Sequence, residues 1–262
     1  MKSYLKVMSL NLYHGRGICP PYLFKPIVSR KKVRDNLREV SDMINHEGPD
    51  VILMQEAERY SILSGRFDHL SELSEISGYP YFSGEDAKID PENNFFLYGT
   101  AIISKYPVKN SLSYNFFDTI PFRGKGFTKG TINIPEFHKH PIDFVSAHFV
   151  ALHLFPKRAR QKNAYSLVRT IHEETRKMPL IVGGDFNSEW NGEKLLDKIC
   201  TGLNINAYNP LEKGLETFPS RKPRKRIDWV FASPKLEFKD YYVLDRKVSD
   251  HLGVMAVLEE KK

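Results

Sequence analysis

Apolar residues along this chain gather into short, almost unbroken runs, and most of those runs end on an acid, an amide or an imidazole. Runs of that length predict strands covered on both faces. Residues 4–12 form the first and carry Asn11 near the end. Asp50-Val51-Ile52-Leu53-Met54 forms a second and delivers Gln55-Glu56. A strand over 99–104 follows, then 127–134 and 141–149 as a hairpin pair. In the latter, Ile142, Phe144, Ser146 and His148 share one face, with Val145 and Ala147 on the other. Leu180-Ile181-Val182 runs into Gly183-Gly184, which permits a tight turn that aims Asp185 and Asn187. In an extended segment those two side chains project to the same side. Strands over 226–232, about 236–244 and 252–258 close the pattern, with Asp228 inside the first and Ser249-Asp250-His251 just before the last.

Between these runs the apolar spacing turns helical. Val33, Leu37, Val40 and Ile44 predict a helix ended by Gly48-Pro49, and Leu70, Leu73 and Ile76 a second stopped by Gly78. A long helix over 157–176 has Tyr165, Val168 and Ile171 in its inward stripe. Cys19-Pro20-Pro21 and Pro26 break the pattern into a loop over 17–30, and a polar stretch over 84–97 predicts a surface loop. No repeat or linker stands out. Continuous strands mixed with helices predict one α/β domain over 1–262, a layered sandwich of sheets covered by helices.

At 262 residues and 41% hydrophobic content the chain can bury a sizeable core. Its 39 Lys+Arg against 32 Asp+Glu give +7, which favours a polyanionic partner such as nucleic acid, an anionic lipid surface or a phosphorylated small molecule, although solubility alone also accounts for an excess of this size. Two distant cysteines, Cys19 and Cys200, argue against a disulfide framework. No apolar run has the length of a membrane span, and the first strand leaves no room for a signal peptide. The expected location is cytoplasmic, leaderless secretion being compatible with it, and the expected state a monomer.

The strand-end residues carry the chemistry. Glu56 follows four apolar residues, where a carboxylate is costly unless it is paired or binds a cation; a strand end already in solvent is the plainer alternative. Asp185 and Asn187 suit water, a metal or a phosphoryl oxygen, although both also favour turns after Gly-Gly. Asp228, flanked by bulky apolar residues, needs an interior partner, and a His–Asp pair would meet that need. Oxygen donors and imidazoles in this mixture suit a hard divalent cation and a phosphate. Arg221, Lys222, Arg224, Lys225 and Arg226 form a basic run that either steers a phosphate-rich substrate or is a solvated loop. Lys157, Arg158, Arg160 and Lys162 put positive charge at a helix N-terminus, against its dipole.

Taken in order, Asn11, Gln55-Glu56, Ser146-Ala147-His148, Gly183-Gly184-Asp185-Phe186-Asn187, Asp228 and Ser249-Asp250-His251 resemble the endonuclease/exonuclease/phosphatase superfamily over nearly the whole chain. The resemblance implies a DNase I-like, four-layered α/β sandwich with two central, mostly antiparallel sheets flanked by helices. It implies a Mg²⁺ site, Mn²⁺ able to substitute, of one or two ions, with Glu56 as principal ligand and Asn11 and Asp250 assisting. By the same resemblance Asp185 orients or deprotonates the attacking water, Asn187 and His148 bind phosphoryl oxygens, and Asp228 and His251 form the acid/base pair. His14, Arg16 and Arg226 are candidate substrate contacts.

Asn11-Leu12-Tyr13-His14-Gly15-Arg16-Gly17, Thr217-Phe218-Pro219-Ser220 and Arg226-Ile227-Asp228-Trp229 look most like small bacterial hydrolases of that superfamily. Arg224-Lys225-Arg226 stands where abasic-site endonucleases carry Gly-Trp-Arg, and Ser146-Ala147-His148 where sphingomyelinase-type members favour His-Thr-His. The extended phosphoinositide motifs of the 5-phosphatases are not evident. The implied activity is metal-dependent phosphodiester hydrolysis by direct attack of water. Nucleic acid, phospholipid or a small phosphodiester are the substrate alternatives, and a binding protein that kept the fold and lost catalysis is the non-enzymatic one.

Overall fold

Near-continuous apolar strands need cover on both faces, and the chain provides it by stacking two sheets and flanking each with helices. The computed structural model describes residues 4–18, 28–60, 65–84, 98–116, 124–151, 157–174, 178–190 and 194–261. Of the loops predicted over 17–30 and 84–97, residues 19–27, with Cys19, and 85–97 lie outside the described residues.

The first half of the chain runs β1 (Leu5–Asn11), α1 (Arg30–Glu47), β2 (Val51–Glu58), α2 (His69–Ser77), β3 (Tyr81–Gly84) and β4 (Tyr98–Ser104). The second runs β5 (Val108–Asn115), β6 (Gly126–Ile132), β7 (Ile142–His148), α3 (Lys157–Glu174), β8 (Leu180–Asp185), α4 (Leu195–Leu203), β9 (Asn206–Ala207) and β10 (Asp228–Ala232). The hairpin β11 (Leu236–Val243) and β12 (Val254–Glu260) then returns to the first sheet. The strand orders are β11-β12-β1-β2-β4-β3 and β5-β6-β7-β8-β10-β9, six strands each. Each sheet is antiparallel except for one parallel pair, β1/β2 in one and β7/β8 in the other. A parallel pair needs a crossover, and α1 and α3 are those crossovers.

Alternation sorts the side chains into three apolar layers. Met8, Leu10, Ile52 and Met54 pack on α1 and α2 through Val33, Leu37, Val40 and Leu73. Leu5, Val7, Val51, Leu53, Ile142, Phe144, Ile181 and Val230 fill the space between the sheets. Val145, Ala147, Val182, Trp229 and Phe231 pack on α3 and α4 through Leu167, Ile171, Leu196 and Ile199. The result is the four-layered α/β sandwich, and the split faces of β7 follow the predicted alternation.

Local signals set the helix ends. Ser29 accepts from Lys32 N at 3.3 Å to open α1, and Gly48 closes it in the left-handed conformation at φ 63°. Asp68 accepts from Leu70 N and Ser71 N to open α2. The helix face was misjudged at Tyr165: it is 67% exposed, and Ala164, Leu167 and Ile171 point inward instead. Tyrosine has an apolar body, but its place on the helix turns it to solvent. Ile76 likewise lies at an exposed edge of α2. The sequence reading also passed over β3, β5, β9 and α4; β5 is a half-exposed edge strand with a polar sequence. Cys200 in α4 is a free, half-buried thiol. Among the described residues no helix is long and apolar enough to cross a membrane.

Candidate active site

The inter-sheet layer is apolar along most of its length and turns polar at one end. Asn11 continues the face of Leu5 and Val7, Ser146 and His148 that of Ile142 and Phe144, Asp185 that of Ile181, and Asp228 that of Val230. The parallel pairs meet there: Asn11 is in register with Gln55, His148 with Asp185, and Asp228 sits opposite Asp185. Gln55 Nε2 donates to Ser146 Oγ at 3.0 Å, and Ser146 Oγ donates to Met54 O at 2.7 Å, tying the two sheets together just inside the rim.

Strict alternation would turn Glu56 toward α1 and α2. The pairing of β2 with β4 instead shifts register between Met54 and Ala57, a β-bulge, and Glu56 takes a left-handed φ of 53°. After the bulge Ala57 packs in the helix-side layer, so Glu56 and Glu58 face the other way. Glu56 Oε1 then lies 3.5 Å from Lys125 Nζ and 3.7 Å from His148 Nε2. Burial opposes its charge, but His14, Lys125 and His148 outweigh that and hold Glu56 well below the usual carboxylate range.

Asp185 is the hub. Asn11 Nδ2 donates to its Oδ2 at 3.1 Å, while Asn11 Oδ1 accepts from Tyr13 N at 3.0 Å. His148 Nε2 and His251 Nε2 lie 3.4 and 3.8 Å from the same Asp185 oxygen. Burial would raise this acid, yet His251, His148 and Lys125 hold it down at about 2. Its placement depends on Gly184: a Cβ there would stand 1.9 Å from Ala147 O, at a φ of 151°. Asn187 is not in an extended segment as expected. It adopts a left-handed φ of 48°, and Asp185 Oδ1 accepts its backbone N–H at 2.8 Å, so a turn rather than strand alternation brings the pair together. Asn187 Nδ2 donates to Asp185 Oδ2 at 3.1 Å and to Phe149 O at 3.0 Å. Buried Arg160 donates to Asn187 O at 2.6 Å, which gives that helix-start cation a task.

The interior partner that Asp228 requires is His251, whose Nδ1 stands 2.9 Å from Asp228 Oδ2. Thr217 Oγ1 donates to the same oxygen. Burial opposes the imidazolium, but Asp228, Asp185 and Asp250 together push His251 up to about 10; burial raises Asp228 in turn. Phe218 packs on the His251 ring at 4.7 Å between centroids. The exposed basic turn Arg221, Lys222, Arg224 and Lys225 is carried on that segment, joined back through Thr217 N to Lys225 O at 2.9 Å.

Not every candidate faces this end. Asp250 is half-exposed; its Oδ1 accepts from Ser249 Oγ at 3.3 Å and its carbonyl from Ser220 N at 2.7 Å. The three candidate substrate contacts are all buried: His14 is 3%, Arg16 1% and Arg226 6% exposed. Arg226 donates to Asn209 O and Tyr208 O and stacks on Trp229 at 4.0 Å, so it braces the loop before β10. His14 lies against Glu56 and Glu58. Burial disfavours its protonation, but the two glutamates outweigh that and raise it. Lys125, by contrast, was missed. It contacts both ring nitrogens of His148, and burial followed by this cation lowers the His148 imidazole. Its only signal in the sequence is a single lysine held between Gly124 and Gly126 at the start of β6.

Two acidic groupings could hold a cation. Ligand atoms of Asp185, Asp228 and His251 lie within 4.8 Å of one another. Asp228 Oδ2 and the His251 imidazole are already committed to each other, however, and an imidazolium has no lone pair for a metal. Glu56 and Asp185 offer two buried carboxylates beside Asn11, whose amide oxygen would turn from Tyr13 N–H to join them, and oxygen donors of this kind fit a hard divalent cation better.

The Endonuclease/Exonuclease/phosphatase family sequence model matches residues 8–251. No curated protein sequence matches the chain. Among solved structures, an endonuclease/exonuclease/phosphatase from Beutenbergia cavernae superposes with a TM-score of 0.74 at 17% identity, over 99% of this chain and 72% of that one. The human Nocturnin catalytic domain with bound sulfate anion gives 0.73 at 19%, over 99% and 94%. D. rerio TDP2 complexed with single strand DNA product gives 0.71 at 15%, over 98% and 100%. At these identities the likeness is one of fold.

Proposed function

Because the chain belongs to the endonuclease/exonuclease/phosphatase family, we propose that it is a Mg²⁺-dependent phosphodiesterase that cleaves a P–O bond by direct attack of water. The observation that carries this reading is the convergence on one rim of Glu56, Asp185 and Asn11 with the Asp228–His251 pair. Glu56, Asp185 and Asn11 would hold the ion, with Asp250 at the edge of the site. When bound, the cation would offset negative charge on the phosphoryl oxygens and leaving group.

The protein groups divide the remaining work. Asp185, held ionised by its cationic neighbours, accepts a hydrogen bond from the attacking water and aligns it. His148 and Lys125, with Asn187 Nδ2 exchanging its hydrogen bond to Asp185 for one to substrate, donate to the phosphoryl oxygens, whose charge grows as the phosphorus becomes five-coordinate. His251, kept protonated by Asp228, gives a proton to the leaving oxygen. The exposed turn Arg221–Lys225 beside His251, together with the whole chain's net charge of +7, favours a polyanionic substrate, and a nucleic acid is the first to test. That TDP2 is described with a single strand DNA product supports the same choice.

Turnover of bis-p-nitrophenyl phosphate should require Mg²⁺ or Mn²⁺, stop with EDTA and vanish in Asp185→Ala and His251→Ala. Metal-independent turnover, or full activity in both variants, would overturn the assignment. An inactive wild type that still binds Mn²⁺ would favour a binding protein. A panel of single- and double-stranded DNA, RNA and phospholipid vesicles then separates the substrates; activity on vesicles alone would reject the nucleic-acid choice.

A further inference from the structure

Behind Glu56, on the side away from Asp185, lies a buried layer that the acid–base chemistry leaves unused. His14 Nε2 is 3.0 Å from Glu56 Oε2, and His14 Nδ1 is 2.6 Å from Glu58 Oε1. Glu58 has no exposed surface and His14 almost none. The imidazole therefore stands between two carboxylates from one strand, both turned toward it by the bulge that inverts β2.

The backbone on both sides is bent to make this contact. Tyr13, His14 and Gly15 take φ values of 49°, 56° and 69°, and Glu56 takes 53°. A left-handed conformation costs a residue with a side chain roughly 1 kcal/mol, so two separate segments accept that cost at the residues that meet. Stability alone gives little reason for such an arrangement, since apolar residues of similar volume often replace a buried ion pair without loss. Position gives a better one. With Oε2 occupied by His14, only Glu56 Oε1 is left turned toward Lys125, His148 and the rim.

We propose that His14 and Glu58 are positioning residues that fix Glu56 as a one-oxygen metal ligand, His14 occupying one carboxylate oxygen and Glu58 holding the imidazole in place. This rests on the reading of Glu56 as a ligand. Metal-ligating groups are commonly oriented by such partners, whose loss costs about 10–100-fold in metal affinity.

His14→Asn and His14→Gln separate the position from the fold. Asparagine tolerates the left-handed backbone and can reach Glu58, but it is too short for Glu56; glutamine can reach Glu56. Mn²⁺ affinity is measured on the full chain by calorimetry, with thermal unfolding in EDTA as the structural control. We expect His14→Asn to weaken Mn²⁺ binding about 10–100-fold and His14→Gln to recover most of it, with similar unfolding temperatures for both. Wild-type affinity in His14→Asn, or equal losses in the two variants, would overturn the inference. Should neither variant fold, Glu58→Gln decides: weaker Mn²⁺ binding with an unchanged unfolding temperature supports the role, and unchanged affinity refutes it. If the wild type itself binds no Mn²⁺, the metal reading fails and takes this one with it.

Discussion

Replacing Asp228 by Asn removes one charge from the buried pair while keeping its shape. The Asp228 oxygen that meets His251 and Thr217 can be kept as the amide carbonyl, and the amide nitrogen then falls on Oδ1, which has no hydrogen-bond partner among the described residues. The rise of His251 from 6.5 to about 10 is worth roughly 5 kcal/mol, net of burial. Three carboxylates supply it, and Asp228 is nearest, at 2.9 Å against 3.8 Å for Asp185. Coulomb energy falls as 1/r, and the hydrogen bond between the two adds to it, so Asp228 is the largest single support of the raised imidazole. His251 in Asp228→Asn should then titrate lower by at least about one pKa unit. The imidazole Cε1–H resonance followed against pH in EDTA measures this directly. The catalytic rate should fall about 10²–10⁴-fold as the proton donor loses the carboxylate that orients it. An unchanged His251 midpoint would refute the reasoning, whatever happened to the rate.

Metal-free stability should peak between about pH 4.5 and about 6.5. Asp185, lowered to about 2, and Glu56, lowered well below its ordinary value, contribute fully above their unfolded values and lose that contribution as pH falls through the folded ones. His251, raised to about 10, contributes fully below 6.5 and loses its share as pH rises through about 10, while Asp228, raised by burial, contributes below its unfolded value and loses that share as pH rises through the folded one. Urea midpoints across pH in EDTA test this, and a maximum above about pH 8 would contradict it. Gly184→Ala should cost at least about 3 kcal/mol in urea unfolding, because its Cβ would meet the Ala147 carbonyl oxygen; a loss below about 1 kcal/mol would mean that β7 and β8 yield easily. Lys125→Met should lower kcat about 10²–10³-fold while Mn²⁺ affinity stays level or tightens, since a competing cation leaves Glu56; weaker Mn²⁺ binding would argue against a phosphate-facing lysine.

Much of the site was legible because strand alternation persists to the strand tips. Asn11, His148, Asp185 and Asp228 each continue an apolar inter-sheet face, so their identity and direction could both be inferred. Glu56 was legible as a residue but not in its direction, because the bulge that turns it leaves no periodic trace. His14 and Arg16 look in the sequence like loop residues open to substrate, since polar residues beside glycines usually are exposed. Left-handed residues fold that segment back inside, and no spacing rule signals this. Asn187 was legible for the wrong reason, as an extended neighbour of Asp185 instead of a left-handed turn residue. Lys125 and Glu58 stayed hidden because a single charge gains meaning only from what the fold sets beside it.

The placement of β12 governs when all this can assemble. It pairs along β1 from Leu5↔Leu258 to Ser9↔Val254, so the strand that presents Asn11 waits for a partner made almost a whole chain later. His251 enters just ahead of that partner, after β7, β8 and β10 have set their own residues at the rim. During synthesis the second sheet can pair while the first still has a bare edge, and such long-range closure is slow. Until the chain has been made as far as β12, the first sheet lacks that partner and the rim lacks His251.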